Sequence, residues 1–170
     1  MGIVSFFKEA GEKLFGRKET EAAAAAVQSA PDPAAAQAKA AELNAKAARA
    51  IEAYIAANQL RADGLSVAFD GATSAVTVEG VAPDQATKEK IVLCCGNVEG
   101  VAQVHDLLTV AQPADASQWH TVAKGDTLSA IAKKFYGNAN AYQKIFEANT
   151  PMLKHPDKIY PGQLLRIPPA

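Results

Sequence analysis

At 170 residues the chain is long enough for two small cores, and its 49% hydrophobic content is inflated by alanine, which adds little core volume. Seventeen Lys and Arg against eighteen Asp and Glu leave a formal charge of -1, so no overall field draws the chain to a polyanion. Nucleic acid is excluded as an expected partner, and an anionic membrane is not favoured.

The sequence opens MGIVSFFKEAGEKLFGRK, and its apolar run ends at Phe7, before Lys8 and Glu9. That is too short for a secretory signal or a membrane span, and Phe6 stands where myristoylation wants Ser or Thr, so the expected compartment is the cytoplasm. Ile3, Phe7, Ala10, Gly11 and Leu14 fall on one side of a helix, with Lys8, Glu9, Glu12 and Lys13 mostly on the other. Residues 1–16 therefore read as an amphipathic N-terminal helix, docked on its own domain or, alternatively, lying on a membrane surface, with Gly16 as its stop.

Residues 17–45 are an Ala-rich linker that grades into a helix. Sixteen of the thirty residues from Glu21 to Ala50 are Ala, and the PDP at Pro31 to Pro33 interrupts any helix there. Beyond it Ala47, Ile51, Tyr54 and Ile55 recur at i, i+4, i+7 and i+8, predicting a packed helix from about Ala34 or later to Asn58. From Leu65 the period becomes two: Leu65, Val67 and Phe69, a turn at Asp70 and Gly71, then Val76 and Val78, a β-hairpin. Pro83 and Asp84 open a further helix, Gly96 and Asn97 are expected to cap its end, and Val101 to Val110 is extended. Residues 46–111 thus form an αββαβ unit, α+β in class.

Residues 112–118 are a polar linker containing Pro113. A second unit covers residues 119–168: a strand at Trp119 to Val122, a helix capped by Asp126 or Thr127, a turn at Gly137 and Asn138, a second helix with Tyr142, Ile145 and Phe146, and a closing strand in YPGQLLRIP. The pattern is βααβ. His120 reads as a strand surface residue.

The chain's two cysteines are adjacent, in LCCGNVEGV. In a reducing compartment they are not a disulfide framework, and side chains about 100° apart on a helix do not offer the C-x2-C spacing of zinc. They read as small hydrophobes facing the core. No nucleophile elbow, phosphate loop, calcium loop or paired-acid motif is visible, so no enzyme activity is expected.

TVAKGDTLSAIAKKFYG, IFEANTP and IYPGQLLRIP fall in order and resemble a LysM domain. The hairpin ending VTVEG and the stretch GNVEGVAQV resemble a BON domain. With the leading SFFKEAGEKLF, the whole resembles the small bacterial BON–LysM proteins, over Met1 to Phe15 and about Ala50 to Pro168, while the Ala-rich stretch departs from the family.

The resemblance implies a monomeric cytoplasmic sensor that selectively binds K⁺, its one implied cofactor, with the BON part holding the ion and the LysM part responding. Potassium is large and weakly hydrated, so selective sites use neutral oxygens, usually backbone carbonyls. GNVEG at a helix end supplies such groups at the negative end of a dipole. By resemblance the ligands are the carbonyls of Phe7, Ala10, Gly96, Val98 and Val101, with Gly96 and Gly100 adopting conformations that other residues resist. GNVEG could equally be only a Schellman-type turn. A protein partner through LysM, a glycan of N-acetylglucosamine if the protein meets peptidoglycan, and a phospholipid surface for BON are the rival expectations.

Overall fold

A computed structural model describes residues 2–6, 13, 14, 25 and 33–170. In chain order the elements are β1 (Gly2–Ser5), α1 (Pro33–Ala57), β2 (Asp63–Asp70), β3 (Ala75–Asp84), α2 (Gln85–Gly96), β4 (Gln103–Gln112), β5 (Gln118–Thr121), α3 (Leu128–Tyr136), a 3-10 turn (Ala139–Ala141), α4 (Tyr142–Ala148) and β6 (Leu164–Ile167). Mixed α+β architecture is confirmed.

The first module has a four-stranded sheet ordered β1-β4-β3-β2. The β2–β3 hairpin is antiparallel, whereas β3 and β4 run parallel and so need a crossover, which α2 supplies. On α1, Ala47, Ala48, Ile51 and Ile55 are buried, one stripe at helical spacing, and they join Val67, Phe69, Val76, Val78, Val104 and Leu108 of the sheet in one core. Side chains also stitch α1 to the hairpin: the Val67 amide donates to Glu52 Oε1 and the Gly71 amide to Asn44 Oδ1, each at 3.1 Å. Pro33 starts the helix because its missing N–H falls where no partner exists.

Residues Gly2–Ser5 are a strand, not the start of a helix. They pair antiparallel with β4, Gly2 opposite Asp106 and Ser5 opposite Gln103. β-Branched Ile3 and Val4 suit an extended chain, and the open edge of β4 offers the backbone partners. The period is two here: Val4 packs against the core and Ile3 is 65% exposed. Lys13 and Leu14 also lie outside any helix or strand. The remainder of the expected helix lies outside the described residues.

Asp84 caps α2, accepting from the Thr87 amide at 2.7 Å. In that helix Glu89 and every residue of the second half, from Ile91 to Gly96, are buried. A helix lying on a sheet keeps one face in water, so burial all round requires a second cover.

The second module is that cover. Its strands β5 and β6 pair antiparallel, Trp119 opposite Arg166, and α3 and α4 pack Leu128, Ile131, Ala132 and Ile145 against Leu165 and Ile167. Thr127 caps α3 by accepting from the Ala130 amide, and Gly137 ends it at φ 71, a left-handed position suited to glycine. All four residues of β6 are buried. Leu165 and Ile167 face their own core, so Leu164 and Arg166 point the other way. Arg166 Nε donates to Glu89 Oε2 at 2.5 Å, joining β6 to α2 across the modules. Asn149, 1% exposed, holds the Arg166 backbone in turn, its Oδ1 accepting from the Arg166 amide and its Nδ2 donating to the Arg166 carbonyl.

Glu89 also accepts from the Ser117 amide and from Gln85 Nε2, each at 2.8 Å. Burial alone would raise its carboxyl, but the bonds from Gln85, Arg166 and Ser117 outweigh that and hold it below its ordinary value of 4.5. A carboxyl lowered on folding stabilises fully above its unfolded value and loses that contribution as pH falls through its lower folded value. The module contact should therefore weaken below pH 4.5 and be indifferent to this group near neutrality. Arg166→Met, which strands a buried carboxylate, should cost about 3–5 kcal/mol in denaturant unfolding, and Glu89→Met with Arg166→Met should recover most of it. A neutral single substitution would contradict this assignment.

Candidate functional site

Three of the expected ligands, Gly96, Val98 and Val101, lie at the end of α2 and in the chain between it and β4. At the end of α2 the Asn97 amide donates to the Leu93 carbonyl at 3.0 Å, and Asn97 has φ -84. Gly96 is thus the last helical residue rather than a left-handed cap. The following turn closes through the Val101 amide and the Val98 carbonyl at 3.1 Å, and Gly100 takes φ 97 at its third position, where glycine is favoured. The expectation about unusual conformation holds for Gly100 and fails for Gly96.

Gly96 serves a different purpose. A Cβ there would lie 1.9 Å from Phe6 Cζ, so the absence of a side chain is what lets the aromatic ring sit against the helix end. The Phe6 amide donates to the Ala102 carbonyl at 2.8 Å, carrying the β1 pairing one residue further. Lys13 Nζ lies 3.7 Å from Glu99 Oε2, and Leu14 packs on the core of the first module. Residues 6 and 13 of the N-terminal segment thus both reach the 96–101 stretch.

Of the sequence-derived ligands, Gly96, Val98 and Val101 fall within this one stretch, all buried. Phe7 and Ala10 lie outside the described residues. Among the described residues no hydrogen bond reaches the Gly96 or Val101 carbonyl, and the Val98 carbonyl uses one of two lone pairs. Buried carbonyls without donors are uncommon, and these sit at the negative end of α2. Glu99, a quarter exposed, is the carboxylate within the turn. Among the described residues no three His, Cys, Asp or Glu side chains cluster as for a divalent metal.

Cys94 and Cys95 are fully buried in the core beneath the turn. Burial pushes the Cys94 thiol up to about 12, against a partial offset from the Asn58 amide, and burial pushes Cys95 well up too. Neither is poised as a thiolate ligand. His120 departs from expectation: its side chain is only 14% exposed, Nε2 lies 2.8 Å from Asp126 Oδ2, and its ring meets Phe135 edge-on at 5.7 Å. The loop holding Asp126 folds back over β5, which covers a residue that strand alternation alone would leave exposed.

Sequence reasoning missed Phe6, Glu89 and Arg166. One signal was present but weak: a charged Arg between Leu165 and Ile167 on a short strand.

Comparison with known proteins bears on these features. Residues 120–168 match the LysM domain and residues 44–112 the BON domain. The chain is 45% identical, over an alignment of 172 residues covering 99% of each chain, to the potassium binding protein Kbp of Escherichia coli O6:H1. Shorter matches are to an uncharacterized protein of Deinococcus radiodurans, 49% identical over 29% of this chain and 19% of that one, and to the uncharacterized protein YqbP of Bacillus subtilis, 40% identical over 31% and 28%.

Gly96→Ala should destabilise by about 1–3 kcal/mol through overpacking against Phe6, and by clearly less in a Phe6→Ala background. Equal costs in both backgrounds, measured by thermal melts, would remove the ring contact as the reason for glycine. The two thiols should resist a disulfide reagent at pH 8 in the native protein and react after denaturation, as their burial requires.

Proposed function

The chain belongs to the BON–LysM family of the potassium binding protein Kbp, and we propose that it binds K⁺ in the cytoplasm through backbone carbonyls of the BON domain and the N-terminal segment. The ligands in this reading are the carbonyls of Phe7, Ala10, Gly96, Val98 and Val101. The observation that carries it is the pair of buried carbonyls, Gly96 and Val101, that receive no hydrogen bond among the described residues at the negative end of a helix.

Neutral oxygens with little carboxylate charge suit a weakly hydrated monovalent cation better than Ca²⁺ or Mg²⁺, which draw on several carboxylates or keep their waters. Phe6 seated on Gly96 and Lys13 beside Glu99 support a site that draws in residues 7 and 10 from the segment between them. The ion then closes the N-terminal segment onto the end of α2. Because α2 also carries Glu89, the contact of Arg166, the ion orders the BON domain against LysM.

Thermal melts in potassium, sodium and choline chloride at equal ionic strength test the reading. K⁺ should raise the melting temperature, with a stabilisation of about 2.7 kcal/mol when the free ion is a hundred times Kd. Rb⁺ and Cs⁺ should partly substitute because carbonyl ligands can widen, and Na⁺ should fail because its dehydration is not recovered. Glu99→Gln should weaken the response without abolishing it, since its charge acts by proximity. Identical melts in K⁺ and Na⁺ would overturn the proposal.

A further inference from the structure

The two modules do not close completely on each other. A cleft of about 220 Å³ remains between them, walled by Tyr54 and Asn97 of the BON domain and by Met152, Lys154, Lys158 and Tyr160 of the LysM domain. Met152 is the LysM residue that packs on the BON core, so the cleft is bounded on one side by a firm contact.

Its chemistry has one sign. The ionisable side chains with a charge at neutral pH in its lining are Lys154 and Lys158, and among the described residues neither has an ion-pair partner. Asp157, which lies between them in sequence, points to His155 Nδ1 at 3.7 Å. The Asn97 side chain adds an independent observation: the residue is 8% exposed, and its Nδ2 is buried with no hydrogen-bond partner. A buried amide donor left unpaired costs about 1–3 kcal/mol, and the broad terminal torsion of asparagine allows it to turn towards an acceptor in the cleft.

We propose that this cleft binds a small oxyanion, held by Lys154 and Lys158 and oriented by the Asn97 amide. Two ammonium groups and an amide donor are a set that only acceptors can satisfy, and phosphate or carboxylate oxygens offer acceptors with the opposite charge. The volume is well above the minimum of about 10–15 Å³ that one water molecule needs, so several non-hydrogen atoms fit. That is room for inorganic phosphate or a short dicarboxylate. A cation is repelled from the same place, so the cleft is distinct in its chemistry from the proposed carbonyl site. The bound anion would bridge the two domains and hold them together, whether or not the K⁺ reading is correct.

The test is an NMR titration of the full chain at pH 7 with sodium phosphate, and in parallel with sodium succinate, against sodium chloride at equal ionic strength. Saturable shifts of the Asn97 side-chain amide and of backbone amides from Met152 to Lys158 are expected, the stronger of the two anions identifying the ligand class. Lys154→Glu with Lys158→Glu, both exposed positions that leave the core untouched, should weaken the affinity at least tenfold in a protein whose remaining spectrum is unchanged. Asn97→Ala should weaken it separately. No saturable shift with either anion, or shifts that survive the double charge reversal, would overturn the proposal. Because all three salts contain sodium and no potassium, failure here leaves the ion reading untouched.

Discussion

Glu89 is 4% exposed on a helix that carries two core thiols and four other buried residues, and its carboxylate is nonetheless met by three donors, from Gln85, Ser117 and Arg166. A buried carboxylate without such partners would unfold its surroundings or take up a proton. Its position is met by Arg166 from the other module, whose backbone Asn149 holds at both the amide and the carbonyl. That contact lies where α2 meets the face of β6 turned away from its own core, so each element is covered on one side by its own module and on the other by its neighbour. Two small domains, each marginal by size, share a face that neither could leave in water.

The same helix organises the candidate ion site. From Glu89 to Gly96 is about 10 Å along α2 at 1.5 Å per residue. One end of this span meets LysM and the other meets Phe6 and the turn whose Gly96 and Val101 carbonyls receive no hydrogen bond among the described residues. A cation drawn to those carbonyls would act on a rigid element already tied to the second domain. Asn97 stands at the junction, its backbone ending the helix and its side chain walling the cleft between domains. Coupling between the N-terminal segment and LysM needs no long relay in such an arrangement, only a helix that cannot tilt without disturbing both ends.

What was legible in the sequence is what local chemistry determines. The Asp70–Gly71 turn, the Asp84 and Thr127 caps, the left-handed Gly137 and the inward stripe of Ile51 and Ile55 each depend on neighbours within a few residues. The strand at Gly2–Ser5 was not legible, because its partner is the edge of β4 a hundred residues away and the same residues also fit a helical stripe. Gly96 was recognised as special for the wrong reason: glycine at a helix end suggests a cap, while its use against Phe6 depends on that distant pairing. His120 was misplaced for a similar reason, its cover coming from a loop that folds back over the strand. Glu89 and Arg166 are 77 residues apart in sequence, and no periodicity joins them.

The most direct test of the account is residue-resolved amide NMR during a potassium titration of the full chain in sodium background at constant ionic strength. The expected result is a saturable set of shifts centred on Phe6 and Gly96 to Val101, with smaller changes along α2 at Glu89 and across the contact at Arg166. Sodium exchanged for choline should leave the same amides in place. Shifts confined to exposed side chains and unsaturated, or absent from the Gly96 to Val101 stretch while another region responds, would contradict a carbonyl site at the end of this helix.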